Sequence, residues 1–253
     1  MSTQSQTVLN LHNGEMRRLH LPAPQSEVMS GVQWGRFDEF FTPAFWVARA
    51  WIDGREGGHE KYTLGRSLRE EVAACLLGGF GMPAEIGLEA FHRLRSRRLL
   101  RAGVTATALE LALAEPLCIG GRSVRYRYPR LKSRFLAKAL ARLESERPPT
   151  GDIEFRDWLV GFDGIGPKTA SWITRNYRHC DEVAILDIHI QRAGRLAGIF
   201  SNDDQVERNY RSMEERLVTF SKSIQIKLSV LDSMIWTYMK RLGPFVETSP
   251  RAA

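Results

Sequence analysis

Cysteine is scarce in this chain, with three residues in 253, and Cys75, Cys118 and Cys180 lie far from one another. Their spacing contains no C-x-x-C pair, no zinc ribbon and no four-cysteine iron–sulfur arrangement. It fits a reduced, cytoplasmic compartment. Long apolar runs are also missing. No stretch reaches the roughly 18 residues that a membrane span requires. The Ser- and Gln-rich N-terminus lacks the basic-then-apolar order of a secretory signal. Internal repeats, heptad seams and, after the first twenty or so residues, strand-like alternation are absent too. A soluble cytoplasmic monomer is expected, with no membrane partner, no metal and no cofactor.

Acidic residues fall short of basic ones, 29 against 36, for a net charge of +7 and a pI near 9.6. Such an excess attracts polyanions, and nucleic acid is the leading partner class. Hydrophobic residues make up 43% of the chain, enough for a core of ordinary size. Residues 7–21 alternate apolar and polar positions on either side of Asn13-Gly14, a dipeptide suited to a two-residue β-turn, so a hairpin is expected there. A linker to about residue 30 follows, and a single helical domain is expected over 31–253.

Apolar residues recurring at three and four predict helix almost throughout that domain. One segment starts at Phe37, Phe40 and Phe41 and runs to Ala50. After a turn-rich connection over 53–65, Ser67 and Glu70 form a capping box for the next. Further helices are expected at 84–98, 105–115, 131–146, 152–160, 167–177, 188–198, 203–221 and 225–241. The fold class is therefore all-α, about ten helices behind a short β-hairpin. The densest basic stretch, "GGRSVRYRYPRLKSRF" (120–135), interleaves six cations with Tyr126 and Tyr128. It reads either as a solvated loop and helix face or as a DNA-contacting loop.

"GFDGIGPKTASWI" (161–173) carries the chemistry. Thr150 or Asp152 is expected to cap a helix that buries Phe155, Trp158 and Leu159, and Gly161 closes it. A six-residue turn leads to a second helix with Pro167 at its first position. Gly164 and Gly166 let backbone approach a phosphate, which the free amides of the following helix also favour. Lys168 is either a phosphate-binding charge or a nucleophile. Downstream, an apolar run ends at Asp187, an N-cap of the next helix whose carboxylate is held at a fixed angle from the core.

The hairpin lysine, the 18 residues that separate it from Asp187, and "LDIHIQRAGRLAG" resemble the signature of the helix-hairpin-helix DNA glycosylase superfamily. The resemblance spans about residues 67–240. It implies two helical subdomains around a cleft and double-stranded DNA with a damaged base as the partner. A lysine at this hairpin position is similar to the bifunctional branch, which includes 8-oxoguanine glycosylase and endonuclease III. It implies that Lys168 attacks C1′ to give a Schiff base, activated by desolvation and the helix N-terminus. Asp187 would stabilise the oxocarbenium-like sugar. His189 is expected either at the DNA backbone or as a structural histidine.

Trp172, one turn beyond Lys168, lines the base pocket in lysine-bearing relatives. "LDSMIW" sets Asp232 and Trp236 at i and i+4, and resembles the final helix of archaeal 8-oxoguanine glycosylases, where such a pair meets the flipped purine. Core filling is the alternative for the tryptophan, and pairing with a surface lysine the alternative for Asp232. The cysteine spacing departs from the iron–sulfur relatives. The 66 residues before Ser67 cannot hold the full N-terminal β domain of the eukaryotic 8-oxoguanine enzymes. Excision of 8-oxoguanine is the expected activity. Another modified base, alkylated or hypermodified as in foreign DNA, and a non-catalytic DNA clamp are the alternatives.

Overall fold

The computed structural model describes residues 4–55, 62–79 and 81–246, so residues 56–61 of the turn-rich connection lie outside it. In chain order the elements are β1 (Gln6–His12), β2 (Glu15–Leu21), β3 (Glu27–Met29), β4 (Val32–Gln33), α1 (Pro43–Ile52), α2 (Leu68–Leu77), α3 (Ala84–Ser96) and α4 (Ala106–Ala114). There follow β5 (Leu117–Ile119), β6 (Arg122–Val124), α5 (Pro129–Ser145), α6 (Asp152–Val160), α7 (Pro167–Arg178), α8 (Ile188–Leu196), α9 (Val206–Ser223) and α10 (Leu228–Val246). Among the described residues the fold is all-α apart from three two-stranded hairpins. No helix among the described residues is long and apolar enough to cross a membrane.

Two compact units divide it: residues 1–60 with 184–253, and residues 61–183. In the first, β1 and β2 pair from Gln6↔Leu21 to His12↔Glu15 around Asn13 and Gly14, both at positive φ. The pleat turns Val8 and Leu21 inward onto Ala44, Ala48 and Trp51 of α1. Behind them Trp46, Leu186, Met213, Phe220 and Leu231 form the main core of this unit. Full burial of each such side chain contributes roughly 1.5–3 kcal/mol before the entropy of ordering it is counted.

The helix expected from Phe37 begins six residues later. Phe41 stands at φ 69°, outside the helical region, and Thr42 caps α1 by accepting from the Phe45 amide at 3.1 Å. The phenylalanines at 37, 40 and 41 belong to the turn before it. The expected linker to residue 30 holds the short β3–β4 hairpin.

In the second unit Ser67 caps α2 through the Glu70 amide, while the Glu70 carboxylate reaches back to the Arg66 amide at 2.9 Å. The N-cap of α6 is Gly151 rather than Thr150 or Asp152, and no side chain caps it. Asp152 and Glu154 instead lie in the first turn, where they meet the positive helix end. The basic stretch is corrected at two positions, while Arg122, Arg125, Arg127, Arg130 and Arg134 are exposed. Gly120 and Gly121, both at positive φ, close the β5–β6 hairpin, and Tyr126 and Lys132 are buried in the core rather than presented to solvent or to DNA.

Candidate active site

The turn between α6 and α7 is built from the inside. Phe155 and Leu159 bury the inner face of α6, and Phe162 and Ile165 plug the turn into the same core. Its backbone closes on itself, with the Phe162 amide donating to Leu159 O at 3.0 Å and the Ile165 amide to Phe162 O at 3.0 Å. Gly164 is required there for two reasons. It lies at φ 79°, and a Cβ would overlap the Phe135 ring. Gly166, the N-cap of α7, is different: exposed, with no atom within 4 Å of where its Cβ would be. Of the two, Gly166 alone has open space where a side chain would stand.

Pro167 begins α7, and Lys168 follows in its first turn. The lysine is exposed, so the chain by itself does not provide the desolvation expected of it; the positive helix end remains. Its amine has no hydrogen-bond or ion-pair partner among the described residues. Lys168 and Trp172 share one helix face and line a cavity of about 570 Å³. Gly78 and Gly79, just past α2, form another wall, and the Trp172 ring lies 3.5 Å from where a Cβ on Gly78 would be. Lys132 lines the cavity too. Burial pushes its amine below the usual lysine range.

In the other unit the approach to Asp187 is clamped. Tyr210 in α9 donates its hydroxyl to Ala184 O at 2.7 Å, and buried Glu214 accepts from the Ala184 amide at 3.0 Å. Residues 184–186 are buried as the apolar run implied. Asp187 then caps α8, its Oδ1 accepting from the His189 and Ile190 amides at 2.9 Å each. Its Oδ2 takes no hydrogen bond among the described residues. His189 is half-buried, with an enclosed Nδ1 that has no hydrogen-bond partner among the described residues. On α10, Asp232 is buried and Trp236 is 40% exposed, with Lys240 Nζ 4.8 Å from its ring centroid. The indole is thus not core filling, and Asp232 is not on the surface.

Residues 60–226 match the family model described as 8-oxoguanine DNA glycosylase. The chain belongs to that family. The matched segment contains Lys168, Trp172, Asp187 and His189 and ends before Asp232 and Trp236. Among solved structures, the chain is similar to the 8-oxoguanine DNA glycosylase of Methanocaldococcus jannaschii, at 23% identity and a TM-score of 0.59, covering 79% of this chain and 94% of that one. The 8-oxoguanine glycosylase/lyase of the same organism in complex with a 15mer DNA containing 8-oxoguanine matches at 25% identity and a TM-score of 0.56, over 77% and 91%. The 8-oxoguanine DNA glycosylase of Thermotoga maritima matches at 22% and 0.54, over 76% and 89%. No match was found among curated proteins.

Sequence reasoning missed Lys132, Tyr126, Gly78, Tyr210 and Glu214. For Lys132 a signal existed. It stands on the same helical stripe as Leu136, Ala139 and Leu140, the buried face of α5. The tyrosine and glutamate of α9 carried no such signal, because their partners are backbone groups more than 20 residues away.

Proposed function

We propose that this chain is a bifunctional DNA glycosylase and abasic-site lyase that excises 8-oxoguanine from duplex DNA. The reading rests on family membership and on one observation above all: an unpartnered lysine and a tryptophan on one helix face, lining one cavity directly after a glycine-rich turn. A nucleotide flipped into that cavity displaces the water around Lys168, supplying the desolvation that the free chain lacks. The neutral amine attacks C1′, the N-glycosidic bond breaks, and the base leaves with a proton. Asp187, whose Oδ2 is unclaimed, stabilises the positive charge that develops on the sugar. The resulting imine acidifies the C2′ proton, and its loss expels the 3′ phosphate by β-elimination.

In the same reading Gly166 and His189 meet the DNA backbone, and Asp232 and Trp236 meet the base. The decisive test is borohydride trapping on a duplex with one 8-oxoguanine. Wild type forms a covalent adduct and Lys168→Gln forms none. An adduct with Lys168→Gln at the normal rate removes Lys168 as the nucleophile. A panel of single-lesion duplexes tests the base: release of another modified base with 8-oxoguanine untouched overturns the substrate.

A further inference from the structure

The C-terminal end of α2 is held in an uncommon way. Terminal helix carbonyls usually meet solvent or a turn. Here three consecutive ones are tied down by side chains: Leu76 O accepts from Lys132 Nζ at 2.6 Å, Leu77 O from the Tyr126 hydroxyl at 2.7 Å, and Gly78 O from Lys132 Nζ at 3.4 Å. Both donors are buried, Lys132 at 2% and Tyr126 at 4% exposure. A lysine at this place on the α5 stripe is costly, since an apolar side chain of similar length would pack without desolvating a charge. What the ammonium adds is a two-point tie on the negative end of α2.

That tie acts on the cavity wall. Gly78 is pressed from behind by α3, where a Cβ on Gly87 would stand 3.0 Å from the Gly78 Cα. Its front faces the Trp172 ring, which would stand 3.5 Å from a Cβ on Gly78, in ordinary van der Waals contact. Gly78, Lys132, Lys168 and Trp172 line the same cavity.

We propose that Lys132 and Tyr126 are positioning residues for base recognition: they lock the Gly78–Gly79 wall against which Trp172 is set, and so hold the base-binding side of the cavity in shape. This rests on the glycosylase reading above. It predicts a split between two reactions at one site. Release of a base needs Trp172 in place. Cleavage of a pre-formed abasic site needs Lys168 and no base.

The experiment measures both on purified full-length protein, with duplexes carrying 8-oxoguanine or an abasic site. Lys132→Met is expected to slow base release at least tenfold while abasic-site cleavage stays within about twofold of wild type. Tyr126→Phe, which removes one carbonyl tie and leaves the ring in place, should slow base release several-fold with the same split. Should Lys132→Met fail to fold, Tyr126→Phe decides alone. Wild-type base release in Tyr126→Phe, or equal loss of both reactions in a folded variant, overturns the proposal. A wild-type protein inactive on both duplexes overturns the glycosylase reading instead.

Discussion

Asn176, near the end of α7, donates its side-chain amide to Glu71 of α2 at 2.8 Å, joining residues 105 positions apart deep in the second unit. Glu71 is fully buried. Its other oxygen accepts the Leu64 and Gly65 amides at 2.8 Å each. Thr63 closes the ring by donating to Asn176 O at 3.0 Å. The helix that carries Lys168 and Trp172 is thus fastened at its far end to the helix that ends at the cavity wall.

Removing that carboxylate takes the acceptor from the buried Asn176 amide and Cys75 thiol and from the half-buried Leu64 and Gly65 amides. Glu71→Ala is expected to lower stability by about 3 kcal/mol. Urea unfolding at an unchanged slope measures it. A loss below about 1 kcal/mol would mean that water replaces the carboxylate.

Gly164 and Gly166 should part company. Gly164→Ala meets both a positive φ and the Phe135 ring, at an expected cost of about 2–4 kcal/mol. In a cycle with Phe135→Ala, a coupling of at least about 1 kcal/mol reports the steric part. Gly166→Ala should cost no more than about 1 kcal/mol in stability. If its backbone meets a phosphate, the same change weakens duplex affinity several-fold; unchanged affinity removes Gly166 from the DNA interface.

Asp187 has two separable jobs. Asn is as good an N-cap as Asp, so Asp187→Asn should keep stability within about 0.5 kcal/mol, whereas Asp187→Ala loses about 1 kcal/mol. Both should lose base excision, because neither carries the charge that stabilises the sugar cation. Normal excision by Asp187→Asn would reduce Asp187 to a cap.

The thiols should react in order of exposure. Cys118 is exposed, while burial pushes the Cys180 thiol up to about 11 and raises that of Cys75, which also faces Glu71. Iodoacetamide at neutral pH should label Cys118 first, with Cys180 following as pH approaches 11; mass spectrometry of the digested protein reads the order. The same shift has a sign for stability. Unfolded Cys180 ionises near its ordinary value of 9.0, so its contribution is complete below pH 9 and is lost as pH climbs to about 11. Cys180→Ala should flatten that alkaline decline.

The sequence by itself determined the all-α class, the N-terminal hairpin, the position of most helices and the Gly-Ile-Gly-Pro-Lys turn with its downstream aspartate. Each of these is a local property: the period of apolar residues, the positive φ of Asn13-Gly14, the capping preference of Ser67 and Asp187. Tertiary structure decided where the charges went. Lys132 and Tyr126 sit in what reads as a basic surface stretch, yet they are buried, because three carbonyls at the end of a helix about 50 positions earlier turn toward them. The clamp of Tyr210 and Glu214 on residue 184 and the ring of contacts around Glu71 are likewise made with backbone groups or with side chains distant in sequence. A side chain's identity announces that it needs a partner, and only the folded chain says which one it meets.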